Sequence, residues 1–389
     1  MILPVLKKTE VCEDMKKEKN TEENKTSRGK RAALMTGKVL VRIFAVVISV
    51  VIAVMMVLIS AIYIISKSDT KVVKDLFVTT MIDTGALDFC ARMFISDEEV
   101  NNILARNEII VPEGVTDTSK IVVGVEEEDP ERKKKKEEED KERGIVYDED
   151  GVCLMDIKGR TYVGKALIIK DPSRVKVAGL DKYGDGIVGK TTEQMAKDAN
   201  ALAAVNAGGY SERSDYRTGG IPEGRNESGF VIINGKLLWG NKNTEYEVIG
   251  FDSSNILHVD KMTGAKALEL GIRDAVNWGP ILVKNGEPCV VPTTGTNVGF
   301  HPRTAIGQRE DGSVILLVID GRQSHSLGAS YTDLIEVFMR LGAVNAANLD
   351  GGMSSYMYYK GDVITSPYML YFNGKRTIAT SIIVTKLGE

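Results

Sequence analysis

The chain is short of the residues that build metal and redox centres. It holds 4 cysteines and 3 histidines in 389 residues. No Cys-x-x-Cys spacing occurs, so metal-thiolate chemistry is disfavoured, and neither a cofactor nor a metal site is expected. Cys12 stands apart from Cys90, Cys153 and Cys289, and those three leave at least one thiol unpaired, so no disulfide framework follows. An excess of positive charge is also missing. The formal net charge is -4, which argues against general nucleic-acid binding. No internal repeat is visible, and the length suits one large domain with accessory segments.

Apolar residues make up 43% of the chain, enough for at least one sizeable core. They are concentrated first in IFAVVISVVIAVMMVLISAIYII, Ile43 to Ile65. That run carries no charge and is long enough to cross a bilayer as a helix of about 20 residues. It is too long for the apolar core of a secretory signal peptide, so residues 39–65 are expected to be an uncleaved signal anchor. Lys25, Arg28, Lys30, Arg31, Lys38 and Arg42 precede it without an intervening acid, whereas Lys67, Asp69, Lys71, Lys74 and Asp75 follow as a mixed set. The positive-inside bias places the N-terminus in the cytoplasm and the rest outside the cell membrane, as a single-pass protein.

Residues 1–38 are polar and charged, and read as a disordered cytoplasmic tail. Residues 66–125 read as a membrane-proximal helical stalk, with Ser96-Asp97-Glu98-Glu99 as a helix start. EEEDPERKKKKEEEDKER, 126–143, has no apolar stripe and is expected to be a solvated linker. From Gly144 the pattern changes to short apolar runs broken by glycine, with INGKL, VKNGE and REDGSV as hairpin turns. Helices are expected at 190–204 and at 330–342, where Leu334, Val337, Phe338 and Leu341 share a face and Gly342 supplies the stop. An α+β domain over 144–389 follows, with a mixed, largely antiparallel sheet and flanking helices.

Four glycine-punctuated clusters deliver a polar residue at a strand end. They are VNAGGYSE with Asn206, HPRTAIG with Arg303, VIDGRQSHSLGAS with Asp320 and Arg322, and NLDGGMSS with Asp350. Each alone reads equally as an ordinary turn. Together they combine acids with arginines, which suits a phosphorylated substrate. A guanidinium binds phosphate oxygens through two donors, and glycine turns expose backbone N–H groups to an anion. Two carboxylates suit acid and base roles at an anomeric carbon.

The ordered blocks NAGGY, SGFVIINGK, NWGPILVKNGE, RTAIGQREDGSVILLVIDGR, SLGASYTDLIEVFMRLGAVNAANLDGGMSS and RTIATSIIV resemble the phosphodiester glycosidase family over residues 144–389. That family includes exopolysaccharide-associated bacterial proteins. The resemblance implies a hydrolase that releases a sugar from the phosphodiester on its anomeric oxygen. Among the matching positions, the chemistry of the residues assigns catalytic roles to Asp350 and Asp320. Substrate binding would fall to Arg303, Arg322, Asn206, Gly208, Thr304, Gly351, Gly352, Ser354 and Arg376. The chain has Gly209-Tyr210 where the family more usually has an aromatic pair. The implied partner is a phosphorylated cell-surface glycan or another sugar 1-phosphodiester.

Other residues carry weaker signals. His301 and His325 lie near the matching blocks, His258 reads as structural, and DKYGDG at 181–186 lacks the final acid of a calcium loop and reads as a turn. Glu223 and Arg225 fall in a polar loop that could cover a cleft, and Trp278 reads as core. Two other functions fit the same residues. One is a phosphodiesterase that cleaves a P–O bond with a divalent cation on the aspartates; the other is a non-catalytic module that binds anionic glycans.

Overall fold

The computed structural model describes residues 39, 41–68, 70–83, 88–124, 130–211, 219–224, 228–292, 299–369 and 375–388. The chain divides into two compact units, Met1–Lys74 with Arg92–Ile95, and Asp75–Ala91 with Ser96–Glu389. The first contains the helix Val41–Ser66, whose mean hydropathy of 3.1 and length of 26 residues make it a candidate membrane span. None of its apolar window is buried in protein.

The second unit is α+β, and its described strand pairs are antiparallel. A seven-stranded sheet runs in the order Val152–Lys158, Val163–Ile169, Val314–Ile319, Arg303–Arg309, Ala343–Asn348, Ile281–Lys284, Glu287–Pro288. A five-stranded sheet is built from Val231–Ile233, Lys236–Trp239, Glu245–Asp252, Leu257–Thr263 and Ile272–Asn277. A second five-stranded sheet has the order Asp362–Val363, Met357–Tyr359, Ala203–Asn206, Thr380–Val384, Val175–Gly179. The interior strand VILLVI, Val314–Ile319, is buried at every residue, so its continuous β-branched and leucine run reflects coverage on both faces.

Local chemistry sets the ends of the elements. Asn234-Gly235 and Asn285-Gly286 all have positive φ, which is the geometry a two-residue hairpin turn demands. The helix Tyr331–Leu341 starts in a capping box made by Ser330 and Asp333, and stops at Gly342 with φ of 82°. It buries Leu334, Val337, Phe338 and Leu341. The other expected helix is shorter than the sequence implied, spanning Thr192–Asp198. Asn200 adopts φ of 49°, and Asn200 N–H bonds Lys197 O while Ala201 N–H bonds Ala196 O, so a helix-stop motif ends it. Ala203 and Ala204 then enter the sheet between Met357–Tyr359 and Thr380–Val384.

The segments before Gly144 engage the sheets. The helical part of the expected stalk ends with Asp97–Arg106, capped by Ser96 Oγ on Glu99 N–H. Beyond it Ile110 pairs with Val290, Thr116 N–H donates to Asp260, and Val122 N–H donates to Glu310 O at 2.7 Å. Ile109 and Ile145 join the main core cluster. The charged run read as a solvated linker is helical over Pro130–Arg143, and its last turns dock. Asp140 accepts from Arg309 Nη2 at 2.6 Å, and Lys136 sits 3.0 Å from Asp311, which also lies 3.2 Å from Arg309. Composition alone favoured solvation, but one buried arginine on the sheet recruits the acidic residues of the run. Burial pushes the Asp311 carboxyl up, yet Arg309, Lys136 and two bonds from Ser313 outweigh it and hold the group below the usual carboxylate range.

Asp140→Asn keeps the shape of this contact but removes one of two carboxylates from a guanidinium that is 4% exposed. Urea unfolding is expected to show a loss of about 2 kcal/mol. Glu137→Gln, on the exposed part of the same helix, is expected to leave the midpoint unchanged.

Candidate active site

Strand register brings the sequence clusters to one end of the seven-stranded sheet. Arg303 opens its strand opposite Ile319, so Asp320 and Arg322 follow directly beside it. Ala305 pairs with Asn348, so Asp350 emerges on the other flank of the same strand. Asn206 closes a strand of another sheet and points its amide at this end. Its Nδ2 donates to Asp350 O at 2.6 Å, and its Oδ1 accepts from Thr304 Oγ1 at 2.6 Å. Asp350 N–H donates to Ala207 O, and Leu349 N–H to Thr304 O. Asn206 and Thr304 are both 0% exposed.

The glycines beside Asn206 serve close packing. Gly208 N–H donates to Thr380 Oγ1, and a Cβ on Gly209 would lie 2.0 Å from the Trp278 ring. Trp278 itself packs against the main core. On the other side of Asp350, Gly351 N–H returns to Asp350 Oδ1 at 2.8 Å, Gly352 adopts φ of 64°, and Gly352 N–H donates to Pro302 O. The turn that presents Asp350 is therefore pressed onto Pro302, immediately before Arg303.

Three arginines gather around this turn. Arg303 is 6% exposed, with its guanidinium carbon 4.0 Å from the centre of the Tyr331 ring. Its Nε donates to Ala329 O, while its Nη2 is buried and has no hydrogen-bond partner among the described residues. Arg322 lies over Gly352, is 3.3 Å from His301 Nδ1, and stacks near Tyr368. Arginine always donates, so the Nδ1 of His301 accepts and its proton resides on Nε2. Burial lowers the Arg322 pKa from its ordinary value, and the charges of Arg303 and Arg376 add to this against the opposing phenol of Tyr368. Arg376 Nη1 donates to the Tyr210 hydroxyl at 3.0 Å, which in turn is 3.4 Å from Ser354 Oγ.

Asp320 occupies a different position from Asp350. Its Oδ1 accepts from Ser366 N–H at 2.9 Å and its Oδ2 lies 3.3 Å from His325 Nε2, while its backbone carbonyl takes Ser326 Oγ. Gln323 Nε2 also bonds Ser366 O, so these contacts fix the segment that carries Tyr368 to the turn after Arg322. His258 belongs to the interior, 3.0 Å from Asp252 and 3.9 Å from Asp260. Glu223 pairs with Gly209 in a two-stranded ribbon; Arg225 lies outside the described residues. Residues 181–186 form turns. Among the described residues, no group of three or more His, Cys, Asp or Glu side chains is placed to hold a metal ion.

The sequence reading did not single out Tyr331 and Tyr368, and it noted Tyr210 only as a departure from pattern. Tyr331 reads as the first residue of an amphipathic helix, and only the strand register sets it under Arg303. Tyr368 reaches Arg322 through the bond between Asp320 and Ser366, a contact across 46 residues.

Residues 199–385 match the model of the phosphodiester glycosidase family. That segment is similar to the family, and the remainder of the chain lies outside the match. The SPbeta prophage-derived uncharacterized protein YomE of Bacillus subtilis is 30% identical over 180 residues, a match that covers 46% of this chain. The chain spans only 27% of that protein's length. Among solved structures, the zebrafish N-acetylglucosamine-1-phosphodiester alpha-N-acetylglucosaminidase catalytic domain, auto-inhibited by its pro-peptide, has a TM-score of 0.48 at 21% identity, covering 60% of this chain and 82% of that one. A hypothetical protein from Synechocystis has a TM-score of 0.39 at 15% identity, covering 60% of this chain and 62% of that one.

Asn206→Ala removes the acceptor of the fully buried Thr304 hydroxyl and one donor to the part-buried Asp350 carbonyl. Thermal and urea unfolding are expected to show a loss of about 2 kcal/mol, because a buried hydroxyl loses this bond.

Proposed function

We propose that the chain is a membrane-anchored, extracytoplasmic phosphodiester glycosidase that hydrolyses a sugar 1-phosphodiester of a cell-surface glycan, such as an exopolysaccharide. One observation carries the reading: among the described residues the buried Nη2 of Arg303 has no partner, in a site where Arg322 and Arg376 add positive charge. A buried donor left unmade and a set of like charges are both unfavourable, and a bound phosphate group relieves both at once. The family supports hydrolysis at a phosphodiester-linked sugar. The helix Val41–Ser66, with basic residues before it, supports anchorage with the domain outside.

In this reading the anomeric C–O bond breaks, its electron pair stays on the phosphate oxygen, and the oxygen of water adds to the sugar. Arg303 and Arg322 stabilise the departing phosphate monoester. Asp350 serves the reacting sugar, as base toward water or by stabilising positive charge at the anomeric carbon. Asp320 acts through the Tyr368 segment and positions Arg322. Asn206, Thr304 and Gly208 hold the turn from behind, and Gly351, Gly352 and Ser354 line its surface.

Hydrolysis of a panel of methyl sugar 1-phosphates in ¹⁸O-labelled water tests the reaction. Label in the released sugar is the expected result. Label in the phosphate alone identifies P–O cleavage and a phosphodiesterase, and binding of the diesters without turnover identifies a glycan-binding module. Asp350→Asn still accepts the Gly351 N–H bond, so its melting temperature is expected to hold while turnover drops roughly a hundredfold or more. Near-parental turnover in the folded variant removes Asp350 from the chemistry.

A further inference from the structure

Tyr210 sits where its backbone has little freedom. Gly209 is pressed flat against Trp278, and Tyr210 itself pairs with Pro222 in the short ribbon. The side chain reaches from there to two segments far along the chain. Its hydroxyl accepts from Arg376 Nη1 at 3.0 Å and lies 3.4 Å from Ser354 Oγ. Ser354 ends the short turn Gly352–Ser354 that follows Asp350, and it is 1% exposed. One phenol thus connects the glycine cluster, the aspartate turn and the C-terminal arginine.

We infer that Tyr210 is a positioning residue of the anion site, which fixes Arg376 against the Asp350 turn so that its guanidinium meets a phosphate group already oriented. The inference rests on the reading of Arg376 as a substrate-binding residue. An arginine side chain has many rotamers, and ordering it only when the ligand arrives weakens binding. A phenol with two torsions, its ring packed against the cluster of Leu180, Met195 and Ile378, is a rigid acceptor for that guanidinium. The charge of Arg376 reaches Arg322, so the fixed position also keeps the arginines acting on one place.

The test titrates inorganic phosphate into the detergent-solubilised full chain by calorimetry and measures KM and kcat on the best methyl sugar 1-phosphate. Tyr210→Phe is expected to weaken phosphate about tenfold and raise KM by a similar factor, as loss of one hydrogen bond to a charged group implies. Its kcat is expected to stay within about twofold, and its melting temperature to match the parent, because the ring and its packing remain. In an Arg376→Ala background, Tyr210→Phe is expected to have no further effect. Unchanged phosphate affinity and KM in Tyr210→Phe, an additive loss in the double variant, or a parent chain that does not bind phosphate overturns the inference. A parent that binds phosphate, loses affinity in Tyr210→Phe, and cleaves no diester leaves the inference standing and sinks the glycosidase reading.

Discussion

The side-chain amide of Asn206 belongs to one sheet and bonds to another, and the placement of Asp350 depends on it. Its nitrogen takes the Asp350 carbonyl and its oxygen takes the Thr304 hydroxyl, with no exposure of the amide to water. Only a side chain with both a donor and an acceptor can serve both partners, which is why neither Asp nor Leu substitutes here on physical grounds. The main-chain bond from Asp350 to Ala207 lies beside it, so the loop cannot slide without breaking buried bonds on two sheets. Such a joint resists displacement of the turn that carries Asp350.

Around that joint the arginines lean on aromatic rings. Arg303 rests on the face of Tyr331 and Arg322 near the face of Tyr368. A ring face attracts a cation without quenching its charge. Asp320, at the end of the neighbouring strand, accepts from a backbone N–H and lies beside a histidine.

Much of this was legible in the residues. Hairpin turns at Asn234-Gly235 and Asn285-Gly286, the capped helix ending at Gly342, and the strand-end positions of Arg303, Asp320 and Asp350 all follow from local patterns that the fold obeys. The parts that were not legible depend on distant partners. Nothing within residues 130–143 indicates that Asp140 will meet a buried arginine of a strand more than a hundred residues later. The end of the helix at Ala199 depends on Asn200 taking a left-handed conformation, a choice that Ala203 and Ala204 enforce by pairing in the sheet. The contacts of the two aspartates were equally hidden. Both follow apolar strands, and only the fold shows that Asp320 bonds Ser366 and lies beside His325 while Asp350 accepts from Gly351 within its own turn.

Residue 322 has φ of 56°. For a side chain as long as arginine this left-handed backbone costs about 1 kcal/mol, and glycine would occupy it at ease. A turn of the same shape could thus be made more stable by discarding the side chain. The chain instead keeps arginine in a conformation it disfavours, within reach of two other positive charges. The left-handed backbone at this position sets the direction from which the Arg322 guanidinium reaches Gly352, so the shape of the turn and the approach of the charge to the aspartate turn are one property.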